Sequence, residues 1–276
     1  MPDKKVQKQF VDMWKGIYKK QFIDSAPCEG YVWNIRCYRA LKEIFSSAAM
    51  FGESLVAKDS KCWASFYFTS YYSLFHAFLA CVFLLPSESL EKLSDITHSK
   101  LLNIFRSSFC NGKFKIIDES ICTAFSILRY QREYYSYQMP PNHFLYENAD
   151  NIQPDVVLPH HLYACYQLAN LFSLLIESAF KKHHKDMEQT AQNFQFVKEN
   201  FCLVNCRKHP ITEKYQLHYV DKVRLKETFL YPAPVSFIME LEHFSDEFGL
   251  YENSGFPQFA DGKEFSPSRF IYDAIY

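Results

Sequence analysis

From Cys62 to Leu85 the chain reads CWASFYFTSYYSLFHAFLACVFLL, with no Asp, Glu, Lys or Arg. Trp63, Phe66, Tyr67, Tyr71, Leu74, Phe78, Cys81 and Leu85 recur at three- and four-residue steps, the spacing of one helix face. About 20 apolar residues are also enough to cross a bilayer. Ser65, Thr69, Ser73 and His76 argue against a span, because they step along one side and lipid would leave them unsatisfied. Ser70, Ser73, Ala77 and Ala80 are small enough to let another helix approach closely. The stretch is expected to be the central buried helix of a soluble α-helical bundle, with no membrane contact.

A chain of 276 residues can hold one large or two small domains, each with a core. Its net charge of −1 offers no global field for nucleic acid or an anionic membrane, so any such binding must be local. The 7 glycines are too scattered for GxGxxG or GxxxxGKS, which need bare backbone amides around a phosphate. GxSxG and HExxH are absent too, and no cofactor is implied. With 27 Phe and 19 Tyr, thick helices packed on one another fit better than a turn-rich sandwich. The 9 cysteines lie mostly within apolar runs, and MPDKKVQKQF lacks the apolar core of a signal peptide. A cytoplasmic protein with reduced, largely buried thiols is expected.

Lys4 to Ile23 reads as a basic amphipathic helix, with Val6, Phe10, Met13, Ile17 and Gln21 on one face and Trp14 beside it. Lys4, Lys5, Lys8, Lys15, Lys19 and Lys20 point mostly elsewhere, as a site for phosphate or an acidic partner or simply as a solvated face. Further helices are expected at about 31–57, 90–109, 116–137 and 160–182, with Asp59 or Ser60 capping the central helix and Pro86 ending it. Met139 to Pro159, with Pro140, Pro141 and Pro154, reads as a loop, Pro159 opening the next helix. Beyond Lys182 a helix is expected at about 186–201, and Tyr215, Leu217 and Tyr219 alternate in the rhythm of a strand. Residues 1–182 thus form the bundle, and 183–276 a C-terminal mixed or irregular extension.

Within the bundle, SYYSLFHAFLACVFLL at 70–85, THSKLLNIF at 97–105 and LRYQREYYSY at 128–137 stand in a telling order. Together they resemble the HEPN superfamily, where a helix like YYALFHAARALL precedes an HSxLxxLF helix and then one with an Arg–acid–aromatic segment. The resemblance covers about residues 35–180 and neither end. It implies an up-and-down helical bundle that pairs with a second copy. Many members are metal-independent ribonucleases of prokaryotic defence or toxin–antitoxin systems, with an Arg followed four to six residues later by His. Here the next histidine after Arg129 and Arg132 is His143, too far and beyond Pro140 and Pro141, and Arg36, Arg39 and Arg106 have none in range. The nearer likeness is to the branch that lacks this pair and serves nucleotide binding, dimerisation or partner docking.

His76, His98, Arg129, Arg132, Glu133 and Tyr135 are the polar residues of the matched helices. Brought together, the arginines would grip a phosphate while His98 or His76 moved a proton. The plainer account is a buried hydrogen-bonded network that fixes helix register, with Arg132 and Glu133 facing solvent. Cys202, Cys206 and His209 in CLVNCRKH are too few for zinc, and no metal site is expected. His160 and His161 begin a helix and His183 and His184 end it, where imidazolium suits the helix dipole. The cation–aromatic run YQLHYVDKVRLKETFLY sits near Glu240, Glu242, Asp246 and Glu247, which fits a protein contact better than nucleic acid.

The expectation is a mainly α, HEPN-like, non-catalytic interaction or regulatory subunit, working as a homodimer or with a partner protein, with RNA or a nucleotide as conceivable ligand. The alternative is a metal-independent ribonuclease with a rearranged Arg/His site.

Overall fold

A computed structural model describes residues 3–24, 26–111, 113–138, 152–183, 189–255, 258–259 and 261–276. Pro140, Pro141, His143, most of the expected 139–159 loop and His184 lie outside the described residues. The fold is mainly α: α1 Lys4–Ile23, α2 Glu29–Asp59, α3 Trp63–Phe83, α4 Leu90–Ser94, α5 His98–Phe105, α6 Ser120–Glu133 and α7 Pro154–His183. After these come α8 Ala191–Asn205, α9 Tyr219–Leu230, α10 Phe237–Gly255 and α11 Pro267–Ile275. The only sheet among the described residues pairs Arg207–Lys208 (β1) antiparallel with Tyr215–Gln216 (β2). The expected strand rhythm is cut short because Tyr219 starts α9, with His218 accepting from the Val220 amide as its cap.

α3 is long and apolar enough to cross a membrane, and 67% of that window is buried within the fold. Its C-terminal half is enclosed, but Ser65 and Phe68 are exposed and Thr69, Tyr72, Phe75 and His76 half-buried, so one face is uncovered. Ser73, expected on that polar face, is fully buried instead. Its backbone carbonyl accepts from Ser47 Oγ of α2 at 2.7 Å, where the small residues Ser70, Ser73, Ala77 and Ala80 let α2 approach.

The most enveloped helix is α2, which packs on α3, α7, α8, α9 and α11. Its buried charges all have partners. Arg36, 5% exposed, donates to the carbonyls of Phe83 at 2.9 Å, Leu85 at 3.2 Å and Glu88, closing the C-terminus of α3. Burial pulls its pKa down to about 10, so it stays charged. Tyr18 donates to Leu84 O at 2.8 Å beside it. Neither Asp59 nor Ser60 caps α3: α2 runs through Asp59, Lys61 turns the chain at φ 59°, and Cys62 stands at the cap without a side-chain bond.

α1 buries Phe10, Trp14, Tyr18 and Phe22 against α7, a four-residue stripe shifted from the expected face, and leaves Met13 exposed. Large aromatics bury most area per residue, roughly 150–250 Å² each, which decides the rotation. The expected helix over 90–109 is broken at Asp95, and Thr97 caps α5 through the Lys100 amide at 3.4 Å. A π-helical turn, Arg106–Cys110, extends α5, and a second, Tyr134–Gln138, extends α6. α6 begins at Ser120, where Asp118 accepts from the Ser120 amide at 2.8 Å. α7 begins at Pro154 and carries Pro159 within its first turns. The last helices contribute Val197, Phe201, Leu225, Leu241 and Ile271 to the same core as Leu74 and Leu168.

Candidate functional site

On the uncovered side of α3, the start of α5 meets the end of α6. Four sequence-expected residues come together there: His98, Arg129, Arg132 and Glu133. Tyr71, read from the sequence as core, joins them. Its hydroxyl is hydrogen-bonded to His98 Nδ1, and the two rings stack 5.5 Å apart. The Arg132 guanidinium lies 5.1 Å from the Tyr71 ring centroid and 5.9 Å from that of Tyr72, and donates to Tyr72 Oη at 3.4 Å. Phe75 packs at 4.8 Å from the His98 ring.

Glu133 receives Arg129 Nε at 3.0 Å and an Arg132 nitrogen at 3.1 Å, and these contacts, Arg129 first, hold its carboxyl below the ordinary range. Arg129 also donates to Ser99 Oγ at 3.1 Å. Two guanidinium groups thus share one carboxylate, leaving the patch net positive at the positive end of the α5 dipole.

The tautomer of His98 follows from burial. The phenol of Tyr71 is pushed well up, mainly by burial, so it keeps its proton. The phenol makes no other hydrogen bond among the described residues, so we assign it as the donor to His98 Nδ1, which otherwise would leave its proton unsatisfied. The neutral ring then carries its own proton on Nε2. Burial, then Arg132 and Arg129, lower the His98 pKa from 6.5 and keep the ring neutral near pH 7. Apart from the Glu133 carboxylate that the arginines share, the assembled groups are hydrogen-bond donors: Nε2–H and two guanidiniums. Such a set holds an anion and offers no base at Nε2.

The other candidates go elsewhere. His76 bonds through Nδ1 to Glu43 at 2.5 Å, and Arg39 pairs with the same carboxylate. Burial pushes the Glu43 carboxyl up, yet Arg39 and His76 outweigh it and hold it below its ordinary value. His76 is one turn from Tyr72, their rings 6.2 Å apart, so it borders the patch with its Nδ1 engaged. Tyr135 is buried and stacks on Tyr67 at 4.3 Å. Lys4, Lys5, Lys8, Lys15, Lys19 and Lys20 all lie exposed on α1.

Cys202 and Cys206 pair one turn apart, and His209 Nδ1 accepts the Ile211 and Thr212 amides at 3.3 Å each. Among the described residues, no three His, Cys, Asp or Glu gather where a metal would sit. The sequence signal for Tyr71 was its place four residues after Tyr67, next to Tyr72 and opposite the HS pair of THSKLLNIF; its apolar surroundings hid it. Comparison with family models, curated proteins and solved structures finds no match to the chain.

Proposed function

We propose that this chain is a HEPN-like, non-catalytic interaction subunit whose His98–Arg129–Arg132 patch holds the phosphate of RNA or of a nucleotide. The observation that carries the reading is the Tyr71 hydroxyl on His98 Nδ1, which turns the histidine into a donor beside two guanidiniums. Phosphate oxygens accept from such a set, and Glu133, the carboxylate beside it, is held by Arg129 and Arg132 below its ordinary pKa, which leaves it a weak base for an attacking hydroxyl. The HEPN likeness rests on the segments at 70–85, 97–105 and 128–137. From it follow the cytoplasmic setting, the pairing with a second copy or a partner protein, and the role in prokaryotic defence or toxin–antitoxin control. The uncovered face of α3, with Phe68 exposed and Tyr72 and Phe75 half-buried, is the surface such a partner would cover.

Anisotropy of a labelled RNA oligonucleotide, titrated in the presence of a chelator, tests the reading. Saturable binding to intact RNA, weakened about tenfold or more by joint Arg129→Ala and Arg132→Ala, agrees with it. Affinity that ignores both substitutions overturns it.

The convergence of His98 with Arg132 favours a second reading, cleavage of RNA without metal. It requires scission in the same chelator-containing buffer and its loss in Arg132→Ala.

A further inference from the structure

At the end of α6 opposite Arg132, α1, α7 and the residues before Ser120 enclose a cleft of about 500 Å³. That volume falls in the range of small-molecule sites. Its walls are apolar: Phe10 from α1, Ile116 and Ile121 around the start of α6, Leu168 and Leu171 from α7. Among the polar residues that line it, only His161 is buried. His161 is 8% exposed and lines the cleft, yet no hydrogen bond or ion pair engages it among the described residues. Its ring nitrogens are not among the solvent-shielded polar atoms, so they stay open to the cleft and to a group bound there.

The cleft's charged residues narrow the choice of ligand. Lys115 lines the cleft and is exposed, without an ion pair among the described residues, and its backbone is held at φ 42° in the left-handed region. Asp118 is the acid there, and its carboxylate accepts the Ser120 amide at 2.8 Å in the turn before α6. His160 stands beside His161, rings 5.8 Å apart. The free donors therefore favour an acceptor headgroup, and the walls favour an apolar body.

We propose that this cleft binds a small monocarboxylate with an aliphatic or aromatic body, its carboxylate held by Lys115 and His161. Phosphate esters suit the walls poorly, since one ammonium and one imidazole do not balance a dianion across an apolar floor. The proposal is independent of the phosphate patch at the other end of α6.

Calorimetric titration of the full chain with octanoate, octylammonium and octanol tests it. Octanoate is expected to bind one to one and at least about tenfold more tightly than the other two. Ala164→Trp, which fills the cleft from its α7 wall, should abolish that binding, and Lys115→Gln should weaken it about tenfold. Lys115 is exposed, so its variant remains informative if the tryptophan variant does not fold. No binding of octanoate at about 10 mM, equal binding of octanol or octylammonium, or octanoate affinity unchanged in Lys115→Gln would each overturn the proposal.

Discussion

The Tyr71 hydroxyl meets Nδ1 of His98 while the two rings stack at 26° to one another, so one buried tyrosine sets both the orientation and the proton position of the histidine. Arg132 lies against the same tyrosine ring, at 5.1 Å, and the three side chains come from α3, α5 and α6. A change at Tyr71 is therefore felt in phosphate affinity as well as in folding.

Tyr71→Phe keeps the stacked ring and removes the bond to His98. It should cost about 1 kcal/mol of stability, read from urea unfolding, and weaken RNA binding about fivefold. Loss of stability with undiminished affinity would separate the tyrosine from the site.

The pH dependence of binding should carry the signature of His98, whose pKa lies below 6.5 through burial and the two arginines. A phosphodiester stays a monoanion across this range, and its bound charge favours the imidazolium, so binding takes up a proton. Affinity should rise as pH falls from about 7.5 to about 5.5, and His98→Gln should flatten the profile. For folding the sign is opposite. The unfolded chain takes the proton first, so stability falls as pH drops through 6.5 toward the lowered folded value, and His161, also lowered mainly by burial, adds to the same slope.

Much of the helical layout was legible in the spacing of apolar residues, because burial of one face leaves a three-to-four-residue rhythm wherever a helix is half covered. The rhythm fails where a helix is covered all round. α2 carries Arg36, Arg39, Lys42 and Glu43, so it read as one amphipathic helix among others, although its charges are taken up by α3 carbonyls, His76 and Asp221. The break before α5 could have been found from Thr97, a cap residue just ahead of His98. The π-helical turns after Phe105 and Glu133 left no sequence mark. His98, Arg129 and Arg132 were visible as polar residues in matched helices, but nothing in the sequence said that His76 would turn to Glu43.

Glu43 is buried at 1% side-chain exposure between partners that are 26% and 21% exposed. Glu43→Gln should cost about 2–3 kcal/mol, less than a fully buried pair because both partners reach solvent. Its carboxyl is held below 4.5, so its contribution is complete above that pH and is lost as pH falls through it and lower. Acid unfolding followed by circular dichroism should be less steep in the variant; an unchanged acid limb would contradict the pairing.

Phe78 and Phe105 stack at 3.7 Å with Phe125 at 4.9 Å from Phe78, tying α3, α5 and α6 together beneath the patch. Phe105→Ala should lower stability by about 3–5 kcal/mol in urea unfolding. A loss below about 1 kcal/mol would mean that α5 is not anchored there.

Nitrogen-15 NMR of ring-labelled histidine, comparing the wild type with His98→Gln to assign the signal, reads the proton position in His98 directly. At neutral pH the proton is expected on Nε2, with Nδ1 bare and accepting from Tyr71. A proton on Nδ1 would leave Nε2 as a free base beside Arg132, and would contradict the account of a site that holds phosphate without cleaving it.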